Sequence, residues 1–188
     1  MKELHKNKMK GYLTLNTLIY DHELDKVEKI LEEVKKTKVD AVIATDLAII
    51  QMCDERGIEV HTSTQLSTSN YEAIKFLSKF ASRIVLAREC TLDQIKELKR
   101  KIKKEKLNFK GKEIELETFI HGALCVAYSG RCFMSQFHNR LSANRGQCLQ
   151  ECRRRYNITD VEDSRRSFIL EGEYVMSPKD LCTLPILD

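Results

Sequence analysis

Residues 11–119 repeat one pattern that restricts the fold more than any other feature of the chain. Each repeat is a short β-rich run, then a polar residue, then a stretch in which apolar residues recur at helical spacing. The β-rich runs are residues 12–16, 40–44, 58–61, 83–87 and 114–119. Near-continuous apolar runs are typical of strands that are buried on both faces. The alternation therefore predicts right-handed βαβ units and a parallel sheet.

Polar residues at the ends of these runs predict where helices begin. Ser69 with Glu72 and Thr91 with Gln94 have the spacing of a capping box. Asp46 follows the second β-rich run, and we interpret it as a helix cap because aspartate is preferred at that position.

The predicted fold is α/β, with a partial TIM-like (β/α) barrel over residues 1–120 and a cysteine- and arginine-rich segment over residues 121–188. An open doubly wound sheet is the alternative. Only five strand–helix units are present, whereas a closed barrel needs eight and about 250 residues. We therefore expect the barrel to be incomplete.

Four polar residues near strand ends are candidate catalytic or substrate-positioning groups: His61, Gln65, Arg88 and Glu117. The carboxyl ends of parallel barrel strands gather on one face, where barrel enzymes place their chemistry. The alternative is that these residues are polar because loops are hydrated and helices need caps.

Five of the seven cysteines lie in the last third of the chain, at Cys125, Cys132, Cys148, Cys152 and Cys182. None of their spacings is the C-x-x-C of a zinc ribbon, which disfavours structural zinc. Zinc stays open as an alternative, with His121 and His138 as possible further ligands. Iron–sulfur clusters take four cysteines from irregular loops, so the spacing favours a cluster. Cys53 and Cys90 are interpreted as small buried hydrophobes.

The N-terminus has no long apolar stretch, so we expect neither a signal peptide nor a membrane anchor. We therefore expect a cytoplasmic protein, in which the cysteines are reduced or bound to metal.

Arginine is the basic residue of the cysteine-rich segment, since lysine is absent from His121 to Ser177. Eight arginines and four acidic residues lie between Arg131 and Arg166. Guanidinium groups bind phosphate and carboxylate through two parallel hydrogen bonds and stack on bases. Phe133, Phe137 and Tyr156 are interleaved with them, which is a pattern of nucleic-acid grooves. Salt bridges to the four acidic residues are the alternative.

Residues 117–135, ETFIHGALCVAYSGRCFMS, match the signature E-x-F-x-x-G-[small]-[aliphatic]-C-x(4)-G-x-C-x-[aliphatic]-S. On this motif the chain resembles peptidase family U32, the collagenase-like peptidases. The stretches LTLNTLIYD, VHTSTQLSTSN, IVLARECTLDQI and YVMSPKDLC agree with the same family. The family's usual N-terminal units and the sequence that follows SPKDLC are not found here, so we expect the chain to be the central portion of a longer protein.

The resemblance implies two kinds of activity. Some family members are described as collagenases or proteases, whereas others resemble RNA- or quinone-hydroxylation proteins that hold a 4Fe-4S cluster. The segments GALCVAYSGRC and GQCLQECRRRYNI of this chain are most similar to the tRNA branch. In that branch, prephenate is implicated as the source of the hydroxyl group. The implied cluster ligands are Cys125, Cys132 and Cys148, with Cys152 as the favoured fourth ligand and Cys182 as its alternative.

The family resemblance, together with the cysteine and arginine pattern, thus implies RNA base hydroxylation, with tRNA as the favoured substrate. Arg131, Arg145, Arg153 and Arg154 are candidates to bind RNA phosphate or a small dicarboxylate near the cluster. A collagenase-like protease is one alternative, in which Cys125 and His121 would form the reactive pair, although neither G-x-S-x-G nor H-E-x-x-H is present. The other alternative is a chain that binds RNA or a protein partner without catalysis.

Overall fold

A computed structural model describes residues 1–169, 176–177 and 179–186. The chain divides into two compact units, Met1–Thr118 and Phe119–Asp188. The sequence-based boundary, after residue 120, lies two residues further along the chain.

The first unit is a mixed α/β structure, as predicted. Its helices are α1 (Lys2–Lys6), α2 (Leu24–Thr37), α3 (Leu47–Glu55), α4 (Tyr71–Leu77) and α5 (Leu92–Glu105). Its strands are β1 (Tyr12–Leu15), β2 (Ala41–Ala44), β3 (Val60–Thr62), β4 (Arg83–Val85), β5 (Asn108–Phe109), β6 (Lys112–Glu113) and β7 (Glu115–Glu117). Five of them form one parallel sheet in the order β1-β2-β3-β4-β7, which confirms the predicted parallel sheet.

The helices α2 to α5 pack on one face of this sheet. Val42 and Val60, which are register partners, are fully buried in a cluster with apolar residues of α2 and α3. Ile84 and its partner Leu116 belong to a second cluster with residues of α4 and α5. Side chains alternate between faces along a strand, so these residues share the covered face. The burial of their apolar area is the main source of stability in this unit.

The opposite face of the sheet carries polar side chains. His61, Arg83 and Glu115 are consecutive register partners on β3, β4 and β7. Tyr12 lies on the same face, in edge contact with the His61 ring. Helices on a single face argue against the doubly wound alternative, in which helices cover both faces.

A closed barrel is not observed in the residues that the structure describes. Strands β1 and β7 each have one neighbour in the sheet and form its two edges. The prediction of a parallel α/β architecture therefore holds, whereas a TIM barrel is not confirmed.

Two predicted helix starts are confirmed and one is wrong. Thr91 accepts a hydrogen bond from the Gln94 backbone while the Gln94 side chain accepts one from the Thr91 backbone. Asp46 caps α3 by accepting from the Ala48 backbone N–H. Ser69 does not cap α4: its neighbour Asn70 is the last extended residue and accepts from the Ala73 backbone N–H instead.

The hairpin between β5 and β6 turns through two residues with positive φ, Lys110 at 49° and Gly111 at 85°. A two-residue loop with positive φ at both positions matches the right-handed twist of the strands it joins.

The second unit has little regular structure. Its elements are β8 (His121–Gly122), α6 (Met134–Asn139), β9 (Asn157–Thr159), β10 (Ser167–Ile169) and β11 (Leu181–Cys182). Strand β8 pairs with β11 and β9 pairs with β10, both antiparallel. Most of the cysteines therefore lie on loops and short turns.

Of the helices that the structure describes, none combines the length and the apolar character that a membrane crossing requires.

Candidate functional site

In the second unit, Cys125 and Cys148 each lie within electrostatic range of the Cys152 thiol. Partial burial raises the pKa of the Cys152 thiol, and negative charge on Cys125 and Cys148 raises it further. The Cys125 and Cys148 thiols therefore each lie close enough to Cys152 to influence its titration. Cys152 is half-buried, whereas Cys125 and Cys148 are exposed.

Hydrogen bonds from backbone N–H groups to side-chain acceptors hold the loops of Cys148 and Cys132. The Gln150 backbone N–H donates to Cys148 Sγ at 3.4 Å. The Cys132 backbone N–H donates to Oδ1 of the buried Asn144 at 3.0 Å. Gly130, between Cys125 and Cys132, has a φ of 73°, in the left-handed region that glycine adopts without strain. Hydrogen bonds to sulfur are one means by which proteins tune iron–sulfur centres.

Cys182 lies apart from these loops in sequence, on the short ladder between β8 and β11. Its register partner across the ladder is His121. Both side chains are exposed.

All seven cysteines are free thiols. Cys53 is fully buried in the core of the first unit, and burial raises the pKa of its thiol to about 11. Burial also raises the pKa of Cys90. Both thiols pack against apolar clusters of the first unit, as the interpretation of both as small hydrophobes expects.

Within residues 1–169, 176–177 and 179–186, no three His, Cys, Asp or Glu side chains converge in a metal-binding arrangement. The chemistry of the predicted ligands nevertheless fits an iron–sulfur cluster, because sulfur is the ligand type that such clusters require. His138, a ligand in the zinc alternative, instead packs edge-on against the Phe137 ring with centroids 5.4 Å apart.

The four predicted RNA-binding arginines have different environments. Arg153 is nearly buried; it donates to the Leu124 carbonyl at 3.1 Å and to Asp180. Exposed Arg154 pairs with the buried carboxylate of Glu151 at 3.0 Å. Two of the four therefore pair with acidic residues, as the salt-bridge alternative expects.

The remaining two arginines border turns. The Arg131 guanidinium lies 5.3 Å from the centre of the exposed Tyr128 ring. Arg145 ends the short turn Ala143–Arg145. Arg131 is exposed, whereas Arg145 is half-buried.

In the first unit, His61 and Glu117 lie on the open face of the sheet. His61 is in the middle of β3 and is 3% exposed. Burial lowers its pKa and the charge of Arg83 lowers it further, while Glu59 and Glu117 act in the opposite direction. Glu117 Oε2 accepts from Arg83 Nη1 at 3.4 Å. The structure thus brings His61 and Glu117 together around Arg83.

The position of His61 differs from the expected one. Residues that begin strands surround it, including Tyr12 and Arg83, so it faces the amino-terminal part of the sheet and not the carboxyl ends. Strand β3 continues to Thr62 because Thr62 pairs with Ala44 of β2. That long-range pairing extends the strand past the point where the local pattern ends it.

Gln65 and Arg88 follow the ends of β3 and β4, where the sequence places them. The Gln65 backbone donates to Ser63 Oγ at 3.3 Å, and both Gln65 and Arg88 are half-buried. Asn16, which follows β1, reaches the same serine at 3.5 Å. Polar residues from two strand ends therefore do meet at the carboxyl edge.

A cavity of about 170 Å³ opens beside His61. Its lining includes Tyr12, Glu59, Arg83 and Glu115. Hydrogen bonding to Arg83 lowers the pKa of Glu115, which keeps this pair charged. Tyr12, Arg83 and Glu115 were not predicted as site residues from the sequence. They are the first residues of their strands, whereas the predicted site residues were polar residues at the ends of the predicted strands.

Comparison with known proteins identifies relatives along nearly the whole chain. The family model for peptidase family U32 matches residues 1–188. An uncharacterized protease of Methanocaldococcus jannaschii is 46% identical over 185 residues, 98% of this chain and 44% of the relative. A collagenase of Porphyromonas gingivalis is 42% identical over 181 residues, 96% of this chain and 44% of the relative.

Relatives named for RNA modification also match. The 23S rRNA 5-hydroxycytidine C2501 synthase of Escherichia coli is 40% identical over 177 residues, 94% of this chain and 25% of the relative. Relatives named tRNA hydroxylation protein match as well. The chain thus spans less than half the length of these relatives. No solved structure matches.

Proposed function

The chain belongs to peptidase family U32, and from that premise we propose that it takes part in hydroxylating a base of tRNA or rRNA with an iron–sulfur cluster. The observation that carries the proposal is the grouping of five of the seven cysteines in a unit whose positive charge comes almost entirely from arginine. Relatives whose names specify tRNA or rRNA hydroxylation support RNA as the substrate.

The proposed ligands of a 4Fe-4S cluster are Cys125, Cys132, Cys148 and Cys152, with Cys182 as the alternative to Cys152. The coupling of Cys152 with two other thiols favours it over Cys182, which pairs across a ladder with His121. A bound cluster supplies one-electron transfer. The cysteines of this chain would hold it, with Arg153 fixing the loop of Cys125 through the Leu124 carbonyl.

Hydroxylation replaces a ring C–H bond by C–OH and removes two electrons and a proton from the base, so it needs both a source of the hydroxyl group and an electron acceptor. A small dicarboxylate such as prephenate is the proposed source of the hydroxyl group, and arginine can bind its carboxylates bidentately. The two electrons would pass one at a time through the cluster to an external electron carrier. Gln65 and Arg88, which follow the ends of β3 and β4, and Glu117, the last residue of β7, are proposed to position the substrate. The five parallel strands in chain order, with helices on one face, support a barrel completed by further strand–helix units.

Anaerobic purification tests the cluster directly. We expect a brown protein with iron and acid-labile sulfide, and we expect Cys125→Ser, Cys132→Ser and Cys148→Ser to lose both. The matched control is Cys53→Ala, at a buried cysteine of the first unit that is not a proposed ligand. This variant should keep its iron and acid-labile sulfide. Cys152→Ser and Cys182→Ser, compared side by side, identify the fourth ligand. A colourless protein that binds one zinc ion would contradict the proposal.

Nucleoside mass spectrometry tests the reaction. RNA from a strain that lacks the gene should lose one hydroxylated nucleoside, and the intact gene should restore it. Unchanged hydroxylation would instead support a chain that binds RNA or a partner without catalysis.

A collagenase-like protease is the second candidate, and the relatives named protease and collagenase favour it. In that case Cys125 would be the nucleophile with His121 as its base, or Cys182 with the same histidine across the β8–β11 ladder. Gelatin cleavage that Cys125→Ala or Cys182→Ala abolishes, with iron content unchanged, would establish the protease.

A further inference from the structure

Phe133, the residue that precedes the short helix α6, and Phe137, within that helix, carry exposed rings and form the surface that we call the Phe133/Phe137 pair. Phe137 is 86% exposed and Phe133 is 64% exposed. The Phe137 backbone N–H donates to the Phe133 carbonyl at 2.8 Å, which places the residues one helical turn apart. Residues with this spacing are neighbours on the same side of a helix. Adjacent exposed rings indicate a partner more strongly than a single exposed ring does.

The opposite side of α6 is anchored by polar contacts. Buried Ser135 accepts a hydrogen bond from the Leu149 backbone N–H at 3.1 Å. The Asn139 side chain donates to the carboxylate of buried Glu151. Because these bonds fix the inner side of the helix, the Phe133/Phe137 pair cannot turn inward without breaking them.

Arginines flank the pair at both ends of the helix. Arg131 precedes it, and Arg140 ends α6 in a left-handed backbone conformation. Both are exposed, and in the described part of the chain neither forms an ion pair, unlike Arg153 and Arg154. Their guanidinium groups therefore remain available to an anionic partner.

We propose that the Phe133/Phe137 pair stacks unpaired bases of single-stranded RNA while Arg131 and Arg140 bind the adjacent phosphates. This inference rests on the proposed function and specifies which form of RNA the chain recognises. Aromatic rings beside cationic side chains are how proteins bind single strands, since every base offers a flat face. A duplex hides those faces in its own stack, so the surface selects unpaired nucleotides.

Fluorescence anisotropy with the full 188-residue chain, purified anaerobically, tests the inference. The probes are fluorescein-labelled oligouridylate and the same strand annealed to oligoadenylate. We expect Phe137→Ala and Phe133→Ala each to weaken binding of the single strand by about 5-fold to about 100-fold. Phe137→Trp keeps a stacking surface and should restore the affinity. Phe76→Ala, which removes a 54% exposed ring of α4 in the other unit, is the matched control and should bind as the wild type does.

Salt dependence separates the arginines from the rings. In a plot of log affinity against log salt, Arg131→Gln should make the slope less steep by about 0.7 for each phosphate that the variant no longer neutralises. Phe137→Ala should leave that slope unchanged, because a phenyl ring releases no counterion.

Several outcomes would overturn the inference: equal affinity for single strand and duplex, unchanged binding in both alanine variants, or weaker binding in Phe137→Trp than in Phe137→Ala. Binding of a gelatin peptide that depends on Phe137 would overturn it in favour of a protein substrate. The iron content and the nucleoside analysis are independent of these titrations. If the protein contains iron and the deletion strain loses the hydroxylated nucleoside, while the alanine variants bind normally, the RNA function holds and only this surface is wrongly assigned. If iron and hydroxylation are both absent, the proposed function fails.

Discussion

Arg153 and Asp180, which are 27 residues apart in the sequence, form an ion pair in the second unit: Nη1 of the arginine donates to Oδ1 of the aspartate at 2.8 Å. The same guanidinium donates to the Leu124 carbonyl. The side chain is 11% exposed. Arg153 therefore connects the residue before Cys125, its own turn beside Cys152 and the segment that leads into β11.

Replacing Arg153 should loosen the cysteine loops. We expect Arg153→Gln to lower the free energy of unfolding by about 1–2 kcal/mol, since hydrogen bonds to charged groups are worth more than neutral ones but Asp180 is largely solvated. Iron retention after anaerobic purification should fall in parallel. Arg155→Gln, at an exposed arginine with no ion pair among the described residues, is the control. Equal iron content in the two variants would contradict the role assigned to Arg153.

Protonation of His61 should destabilise the first unit at mildly acidic pH. Burial and Arg83 lower its folded-state pKa below the ordinary value of 6.5. The unfolded chain therefore takes up a proton at a higher pH than the folded chain does, so stability falls as the pH drops below 6.5 and levels off below the folded pKa. Urea unfolding across this range should show a steeper loss for the wild type than for His61→Gln. Identical pH dependence in both proteins would contradict this assignment.

The cap of α4 offers a test of two adjacent residues. Asn70 accepts from the Ala73 backbone N–H, whereas the exposed Ser69 is not the cap. We expect Asn70→Ala to cost about 1 kcal/mol of stability, because the N–H loses its partner. Ser69→Ala should change the midpoint of urea unfolding little. A larger effect at Ser69 would show that the helix begins one residue earlier.

The core between the sheet and α2 should be sensitive to cavity formation. Leu31 is fully buried in the cluster formed with β2 and α3. Leu31→Ala should therefore destabilise the unit by about 2–5 kcal/mol. The exposed position Lys29, on the same helix, provides the control variant Lys29→Ala, which should lie close to the wild type in a chemical denaturation experiment.

The parallel sheet was predictable because local patterns determine it. Buried runs such as Ala41–Ala44 have no polar residue that would suggest a solvated face, and Thr91 has its capping partner only three residues away. Long-range contacts were harder to predict. The end of β3 depends on pairing with β2, which moves His61 from a strand end to the strand interior. Arg83 meets Glu115 across 32 residues, and no local periodicity marks that contact.

The second unit was predictable in composition but not in detail. The clustering of cysteines is visible in the sequence, and so is the turn at Gly130. The buried polar residues Asn144 and Glu151 were missed, because they support irregular loops through single hydrogen bonds. The sequence also does not distinguish paired arginines such as Arg153 from accessible ones such as Arg131.

The strand order has a consequence for synthesis. In the main sheet, each strand after β1 pairs with the sheet strand that was synthesised just before it. No strand of this sheet therefore pairs first with one that is synthesised much later. A nascent chain that leaves the ribosome can therefore add one strand and its helix at a time, each new unit docking on a finished edge.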